Sequence, residues 1–326
     1  MSFRPQAKHA LTVLAILVLS FGARPSAAQT YPARQITITV AFAPGGFADT
    51  MARLVAQGLG ERLHQNVVVE NRAGAGGNIA ASLVAHAPAD GYTLLATTTG
   101  LAISETLVAN KQFSGNDLKT VAIVTASPEV LATNPDNPAG SLPDFIKRMN
   151  GKVINFATAG VGTGSHIEAE YFFKIIAKVP AQHIPFQGGS PAMNAVMGNQ
   201  VDLLAATLSS DVASQISGGR LKGLGVAAAR RAGGVPNVPT YAEQGFPDFT
   251  AASWVGFFAP AKTDPKVLEA LNQAINQVMT SLDMKTRLAT FGLDPIAGSQ
   301  AEAYKMFNDE IRKWGDMVKA LNLSVK

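Results

Sequence analysis

Residues 35–49 have the sequence QITITVAFAPGGFAD, which is the clearest local indication of the fold that we expect for the chain. Residues 35–41 are rich in β-branched side chains and predict a short buried strand. Pro44 and the two glycines after it break the strand, and apolar side chains then recur at helical spacing as far as residue 63. A strand that passes through a glycine loop straight into a helix is the first unit of an α/β domain.

The same unit recurs further along the chain. A strand over residues 67–69, a glycine loop, a helix and a strand over residues 92–96 extend the first unit into a β-α-β-α-β series, which predicts a parallel sheet with helices on its faces. A second series consists of a strand over residues 153–157, the glycine-rich residues 158–164 and a helix over residues 165–177. We therefore expect two α/β lobes, with a cleft where strand ends and helix starts converge.

The composition of the 326-residue chain excludes several classes of protein. Its hydrophobic fraction of 47% is too high for a disordered chain. The absence of cysteine from the sequence rules out disulfide scaffolds, thiolate metal sites and cysteine nucleophiles. The sequence also lacks a basic stripe with interleaved aromatic residues, so we do not expect nucleic-acid binding.

Residues 1–28 have the pattern of a secretory signal peptide. Arg4 and Lys8 precede an apolar run over residues 10–22, and small side chains lead up to Ala28. The run is shorter than the roughly 20 residues that a membrane-spanning helix needs, which disfavours a membrane anchor. We expect cleavage after Ala28 and a periplasmic mature chain. The leader holds three of the 27 basic residues and none of the 23 acidic ones, so most of the formal net charge of +4 leaves with it.

Two glycine-rich loops, residues 42–49 and residues 158–166, each lead into a predicted helix. Glycines let backbone N–H groups face a ligand, and a helix N-terminus adds about half a positive charge. Such loops suit a carboxylate or a phosphate. An alternative for the first loop stays open at this point, namely an ordinary tight turn in which Asp49 only balances the helix dipole.

Ser165 and His166, at the start of the second predicted helix, allow more than one interpretation. Ser165 with Glu168 three residues later fits a capping box. His166 is interpreted either as a hydrogen-bond donor or as a structural histidine. Neighbouring residues on a helix point away from each other, which disfavours a catalytic Ser–His pair. No two of the five histidines have a metal-binding i, i+4 spacing, so no metal site is expected.

Short motifs in a fixed order run along the whole mature chain. They are Tyr31-Pro32, residues 44–49 (PGGFAD), residues 67–78 (VVVENRAGAGGN), residues 90–95 (DGYTLL), residues 162–166 (GTGSH), residues 187–192 (QGGSPA) with residues 200–202 (QVD), and residues 254–260 (WVGFFAP). In this order and spacing the chain resembles the Bug family, the periplasmic substrate-binding receptors of tripartite tricarboxylate transporters.

The resemblance implies a two-lobed periplasmic-binding-protein fold of the type II kind, α/β throughout, in which each lobe is a mainly parallel sheet flanked by helices. Two crossover segments are then expected, near residues 130–133 and near residues 254–259. The sequence also predicts two separate strands, over residues 121–126 and over residues 130–133. The implied domains are residues 1–28 as the signal peptide, residues 29–129 with residues 256–326 as the first lobe, and residues 130–255 as the second lobe.

The resemblance also implies that one loop from each lobe grips a carboxylate of the ligand, largely through backbone amides. The family's first loop commonly carries a hydroxyl residue at one or both positions where this chain has Phe47 and Ala48. The change favours a ligand with a hydrophobic or aromatic body. No catalytic residue, metal or cofactor is implied. The ligand-binding residues that we expect are Phe42, Gly45, Gly46, Phe47, Ala48, Asp49, Thr98, Thr99, Thr163, Gly164, Ser165, His166, Gln187 and Thr207.

The sequence therefore predicts a periplasmic solute-binding receptor. Such a receptor captures a small mono- or dicarboxylate, aromatic ones included, by closing its cleft, and hands it to the membrane subunits of a tripartite tricarboxylate-type transporter. We expect a monomer that carries out no chemistry. Two alternatives stay open: a receptor that presents its ligand to a sensor kinase, and a secreted hydrolase that uses Ser165 and His166.

Overall fold

A computed structural model of the chain describes residues 31–247 and residues 249–325. The expected signal peptide, residues 1–28 with cleavage after Ala28, lies outside the described residues and stays a prediction. The described helices and strands belong to the unit that begins at Arg34. The strands are β1 (Ile36–Val40), β2 (Val67–Asn71), β3 (Thr93–Thr98), β4 (Leu118–Thr133), β5 (Ile154–Thr158), β6 (Ala181–Pro185), β7 (Leu203–Thr207), β8 (Lys222–Val226) and β9 (Ala252–Pro260). The α-helices are α1 (Phe47–Leu63), α2 (Asn78–Ala85), α3 (Gly100–Leu107), α4 (Leu142–Arg148), α5 (Gly164–Tyr171), α6 (Gly189–Met197), α7 (Ser210–Ser217), α8 (Pro265–Met279), α9 (Leu282–Thr290) and α10 (Gln300–Ala320).

The first sheet extends to both sides of β1. β1 pairs in parallel with β2 on one side and with β3 on the other. Parallel neighbours need long crossover connections, and α1 and α2 provide them. β3 then pairs antiparallel with β9, a strand from much later in the chain. The first sheet therefore joins the early residues to the C-terminal part of the protein.

β4 connects the first sheet to the second. Up to Pro128 it pairs antiparallel with β9, and from Glu129 onward it pairs with β7 and β8. The prediction of two separate strands, over residues 121–126 and 130–133, is wrong, because one strand of 16 residues covers both. The residues from Ser127 to Glu129 do not end the strand, because each of them pairs with a neighbouring strand. Ser127 and Pro128 pair with β9, and Glu129 pairs with β7.

In the second sheet β5 pairs in parallel with β6 and with β7. The first sheet with α1 and α2 is here called the first lobe, and the second sheet with α5, α6 and α7 is called the second lobe. The antiparallel pairs come from the long strands β4 and β9, which pass between the lobes. The predicted α/β class with two lobes is confirmed. The division into residues 29–129 with 256–326 and residues 130–255 stays a prediction.

α1 is held against the first sheet by one buried face. Phe47, Met51, Val55 and Leu59 recur every four residues, and all four are buried. Burying an apolar side chain of this size contributes about 1.5–3 kcal/mol to stability. The start of α1, directly behind the first glycine loop, is therefore fixed in place.

The C-terminal helices pack on elements of the first sheet and its surroundings. α8 packs against α1 and β4, and α10 packs against α3 and β4. Trp314 of α10 is fully buried, whereas the opposite face of the helix is exposed and charged. In the part of the chain that the structure describes, no helix combines the length and the apolar character that crossing a membrane requires.

Candidate ligand-binding site

A cavity of about 600 Å³, including the open space at its mouth, lies between the two lobes. The starts of α1, α5, α6 and α7 all contribute to its lining, where strand ends and helix starts converge. Ten of the fourteen residues expected from the sequence line this cavity: Phe42, Gly45, Gly46, Phe47, Ala48, Thr98, Thr163, Gly164, Ser165 and Thr207.

The start of α1 offers backbone donors to the cavity. Gly46 precedes the helix and forms no side-chain capping bond. The N–H groups in the first turn of an α-helix have no carbonyl partner inside the helix. In α1 these donors include the N–H groups of Phe47 and Ala48, and both residues line the cavity. The positive end of the helix dipole lies at the same place, so this part of the cavity favours an anion.

Asp49 does not line the cavity; its side chain holds the loop in front of α1. Its Oδ2 accepts the Gly45 N–H at 2.9 Å and Arg53 Nε–H at 3.0 Å, and its Oδ1 accepts a hydrogen bond from Asn71 at 2.8 Å. Burial by itself raises the pKa of Asp49, but these hydrogen bonds outweigh burial and the net pKa is lowered. The Gly45 N–H is therefore used within the loop, and the donors left for a ligand begin at Gly46.

Thr163, not Ser165, is the N-cap of α5. Its Oγ1 accepts the backbone N–H of His166 at 3.3 Å and donates its own hydrogen to the Gly160 carbonyl at 2.8 Å. The capping box predicted for Ser165 is wrong, because the chain already enters the helix at Gly164. The N–H groups of Gly164 and Ser165 have no partner inside the helix, and both residues line the cavity.

His166 lies behind the second loop, outside the cavity lining. Its Nδ1 accepts the Gly162 N–H at 3.1 Å, which places the proton of the neutral ring on Nε2. The ring stacks on His183 with 3.9 Å between the centroids. Burial, followed by repulsion from His183 and Lys174, lowers the pKa of His166 to about 3. His166 is thus a neutral ring that fixes the shape of the loop.

Thr99 and Gln187 also lie outside the cavity lining. Thr99 is buried, and its Oγ1 lies 2.8 Å from Oγ of Ser253, which does line the cavity. Gln187 lines a neighbouring cavity between the loop around Gly76 and the loop around Gly160. Four expected residues, Asp49 and His166 among them, therefore surround the cavity without lining it.

Residues that no sequence motif indicates also belong to the site. Asp211, in the first turn of α7, and Ser253 of β9 line the cavity. Glu129 of β4 lies directly behind the lining and is fully buried. Its Oε1 accepts the hydroxyl hydrogens of Ser253 at 2.6 Å and of Thr207 at 3.2 Å. No local pattern in the sequence identifies Glu129, because β4 also contains Lys119, Thr120, Thr125 and Ser127.

A second buried carboxyl group, that of Glu168, lies near Glu129. Burial raises the pKa of Glu129 to about 7, in spite of the two hydroxyl groups that donate to it. Burial, followed by repulsion from Glu129, raises the pKa of Glu168 to about 8, although Tyr241 donates a hydrogen bond to Glu168 at 2.8 Å. The Oε2 atom of each glutamate has no hydrogen-bond partner among the described residues.

Around the cavity the two lobes are in direct contact. A Cβ added to Gly76 of the first lobe would lie 2.1 Å from the carbonyl oxygen of Val161 in the second lobe. A Cβ added to Gly188 of the second lobe would lie 2.8 Å from the Cβ of Ala43 in the first. The described residues therefore show the cleft in a closed form.

The groups in the cavity lining that favour an anion are not basic side chains. No lysine, arginine or histidine is found in its lining, as far as the chain is described. The described residues also contain no group of three His, Asp or Glu side chains placed to hold a metal ion. The groups in the lining that favour an anion are therefore helix starts and backbone N–H groups.

A family model matches most of the chain. The model of the tripartite tricarboxylate transporter family receptor matches residues 51–323. Among curated proteins, the chain is similar to the protein BugT of Bordetella pertussis, with 34% identity over 328 residues. This alignment covers 97% of the chain and 98% of BugT.

Two solved structures from Rhodopseudomonas palustris are similar to the chain over nearly its whole described length. Rpa4515, solved with adipate, has a TM-score of 0.86 and 28% identity, and the match covers 90% of this chain and 99% of that one. MatC (Rpa3494), solved with bound malate, has a TM-score of 0.83 and 31% identity, and the match covers 88% of this chain and 100% of that one. These similarities confirm the two-lobed periplasmic-binding-protein fold.

Proposed function

This chain belongs to the tripartite tricarboxylate transporter receptor family, and on that premise we propose that it captures a small organic carboxylate in its cleft and delivers it to the membrane subunits of a transporter. The family consists of periplasmic solute-binding receptors, so the role of the chain is binding. Two similar structures were solved with the carboxylates adipate and malate, which supports a carboxylate here.

The observation that carries the proposal is the set of backbone donors around one cavity. Phe47 and Ala48 at the start of α1, and Gly164 and Ser165 at the start of α5, line the cavity. Their N–H groups have no partner inside either helix, which supports a role as donors to a ligand. A carboxylate has two oxygens with about four lone-pair sites, which matches four donors. Each helix start adds about half a positive charge, so two of them offset the charge of one carboxylate.

The remaining lining supports a ligand with an apolar body. Phe42, Phe47, Met193 and Val212 are buried and line the cavity. An apolar wall stabilises the part of a ligand that it removes from water, by about 25 cal/mol per Å² of apolar surface. The ligand class proposed here is therefore mono- and dicarboxylates, aromatic ones included.

The geometry gives no support to a hydrolase that uses Ser165 and His166. A serine nucleophile needs a base within hydrogen-bond reach. The Ser165 Oγ lies 3.2 Å from the Oγ1 of Thr163, and His166 Nδ1 already accepts the Gly162 N–H. A receptor that presents its ligand to a sensor kinase would use the same cavity and would differ only in its partner.

A thermal-shift screen of the purified chain tests the binding role. We expect at least one organic acid to raise the melting temperature, because a ligand at 100 times its Kd adds about 2.7 kcal/mol to the free energy of unfolding. Nuclear magnetic resonance of the same samples should show the acid unchanged after incubation. Stabilisation by sugars and by no carboxylate would contradict the proposal.

Uptake by cells tests the delivery role. Cells that lack this chain should lose high-affinity uptake of the acid found in the screen, and a copy of the gene should restore it. The mature protein, cleaved after Ala28, should be found in the periplasm as a monomer, which mass spectrometry and size-exclusion chromatography check. Normal uptake in its absence, together with loss of a transcriptional response to the acid, would favour the sensor kinase as the partner.

A further inference from the structure

The cavity that attracts an anion also contains an acidic side chain. Asp211 is part of its lining, in the first turn of α7. It has neither a hydrogen bond nor an ion pair to any residue that the structure describes, and partial burial raises its pKa. A Cβ added to Gly45 of the first lobe would lie 3.7 Å from Asp211 Oδ2, so this carboxyl group reaches across the cleft.

Glu129 fixes the direction in which two hydroxyl groups at the cavity donate their hydrogens. Its Oε1 accepts the hydrogens of Ser253 and Thr207, at 2.6 Å and 3.2 Å, and both of these residues line the cavity. A hydroxyl group has one hydrogen to donate and two lone pairs. With their hydrogens directed at Glu129, Ser253 and Thr207 offer only lone pairs to a ligand, and one lone pair of Ser253 already accepts the hydroxyl hydrogen of Thr99. A proton on the unpartnered Oε2 leaves this arrangement unchanged.

The cavity therefore offers two kinds of groups to a ligand. The helix starts offer N–H donors, which match one carboxylate. Asp211, Ser253 and Thr207 offer acceptors, which match an N–H or O–H group. A second carboxylate would find only acceptors at these three residues. The negative charge of Asp211 would also repel it, because like charges repel each other in a partly buried site.

We propose that this site selects monocarboxylates that also carry an ammonium or a hydroxyl group, with Asp211 as the direct partner of that group and Glu129 as a positioning residue that orients Ser253 and Thr207. The inference rests on the proposed function, since it assumes that one carboxylate binds at the helix starts. It narrows the ligand class from mono- and dicarboxylates to amino acids and hydroxy acids.

Isothermal titration with two matched sets of acids tests this selection. The first set is butyrate, γ-hydroxybutyrate, γ-aminobutyrate and glutarate, and the second set is hydrocinnamate, phenyllactate, phenylalanine and benzylmalonate. Within each set only the group that replaces one hydrogen of the parent acid changes. In at least one set we expect the amino or the hydroxy acid to bind roughly tenfold more tightly than the parent acid and the dicarboxylate.

Asp211→Asn tests the direct partner, with Asp283→Asn as its matched control. Each aspartate is the second residue of a helix that follows a serine N-cap, α7 for Asp211 and α9 for Asp283. Asp283 lies outside the cavity and pairs with Arg287. Asp211→Asn should remove most of the preference for the amino acid and strengthen binding of the dicarboxylate, whereas Asp283→Asn should change no Kd.

Glu129→Met tests the positioning role by comparing two affinities, a ratio that a loss of stability alone does not change. The thioether is only a weak acceptor, so Ser253 and Thr207 regain the freedom to donate to a ligand. We expect the ratio of the two affinities, dicarboxylate to amino acid, to shift towards the dicarboxylate, whatever the change in melting temperature.

Two results would overturn the inference while the proposed function stands. One is a parent acid or dicarboxylate that binds at least as tightly as the amino and hydroxy acids in both sets. The other is an equal effect of Asp211→Asn and Asp283→Asn on every Kd. Binding of none of the eight acids would also overturn the inference, and the wider thermal-shift screen would then decide on the proposed function separately.

Discussion

At the scale of single residues, Asp49 and Asp144 share two local hydrogen-bond partners, a glycine and an arginine, in two different helices. Each lies in the first turn of its helix, accepts the N–H of the glycine four residues earlier and pairs with the arginine four residues later. The Asp49 side chain is 4% exposed and lies beside the cavity, whereas the Asp144 side chain is 34% exposed. Variants of the two residues therefore distinguish the effect of this arrangement on ligand binding from its effect on the stability of a helix.

Asp49→Asn should weaken ligand binding roughly tenfold, because the Gly45 loop loses the charged acceptor that holds it. The free energy of unfolding should fall by about 1.5–3 kcal/mol, the usual contribution of a hydrogen bond to a charged group. Asp144→Asn should lower stability less and leave the Kd unchanged. Titration calorimetry and denaturant unfolding of both variants check this, and an equal change in Kd would contradict it.

Glu129 and Glu168 make stability fall as the pH rises. Both carboxyl groups have an ordinary pKa near 4.5, which burial raises to about 7 in Glu129 and about 8 in Glu168. Between these values the unfolded chain has released protons that the folded chain still holds, so a rising pH favours unfolding. Tyr241, which contacts Glu168, stays neutral in this range because burial raises its own pKa well above 10.0.

Glu129→Gln should therefore raise the melting temperature near pH 8 and have little effect near pH 4.5, because the amide has no proton to lose. Differential scanning calorimetry across this range measures the effect. Glu302→Gln is a control of opposite sign, since hydrogen bonds from Ser299 lower the pKa of Glu302 and stabilise its charged form. A melting temperature that is equally lowered at every pH in Glu129→Gln would contradict the account.

The residues of the two glycine loops were accessible to sequence reasoning, whereas Glu129 was not. A glycine loop before a helix exposes donors wherever it occurs, so its local sequence suffices. Glu129 belongs to the site because it bonds to Ser253, which is 124 positions away along the chain. Only the pairing of β4 with β9 brings them together, and no local pattern contains that information.

At the scale of elements, the loop between β2 and α2 forms part of the contact that closes the cleft. Gly76 has a φ of +62°, and a Cβ there would lie 2.1 Å from the Val161 carbonyl oxygen of the other lobe. Gly219, between α7 and β8, has a similar φ of +71° but no atom within 4 Å of a Cβ. Both glycines have a positive φ, but only Gly76 also lies at the contact between the lobes.

Gly76→Ala should weaken ligand binding by at least roughly tenfold, because the added methyl group keeps the two lobes apart. Gly219→Ala should cost about 1–2 kcal/mol of stability from its left-handed backbone and leave the Kd unchanged. Titration calorimetry on both variants tests this. Equal Kd values for Gly76→Ala and the unmodified protein would show that this contact does not contribute to binding.

Helices with a strong apolar period were predictable, and short helices with a polar start were not. α1 repeats buried residues every four positions behind a glycine pair, and both features were recognised in the sequence. β7 is followed by Leu208 and Ser209, and α7 then begins with Ser210 and Asp211, so no glycine marks the start of this helix. Its serine N-cap and first-turn aspartate are helix-start signals, but its apolar face is only two or three residues wide.

At the scale of the whole molecule, the strands β4 and β9 are the connections that a hinge motion would bend. Both pass between the lobes beneath the cavity, and both carry residues of the site, Glu129 and Ser253. A ligand that contacts both lobes stabilises the closed form over any open one, because only the closed form provides all the contacts.

Small-angle X-ray scattering should therefore show a smaller radius of gyration with ligand than without it. A compact chain of this size has a radius of gyration of roughly 19 Å, and the closed form should approach this value. Gly76→Ala should stay at the larger value at ligand concentrations that close the unmodified protein. Identical scattering curves with and without a saturating ligand would contradict closure.

The most direct test of the central claim compares an acid with its own primary amide by titration calorimetry. The amide keeps the shape and the apolar body of the ligand but removes the negative charge and replaces one acceptor oxygen with a donor. If the helix starts of both lobes hold a carboxylate, the best acid of the screen should bind with one molecule per chain, and its amide should bind at least a hundredfold more weakly, a difference of about 2.7 kcal/mol. An amide that binds as tightly as the acid would contradict the claim.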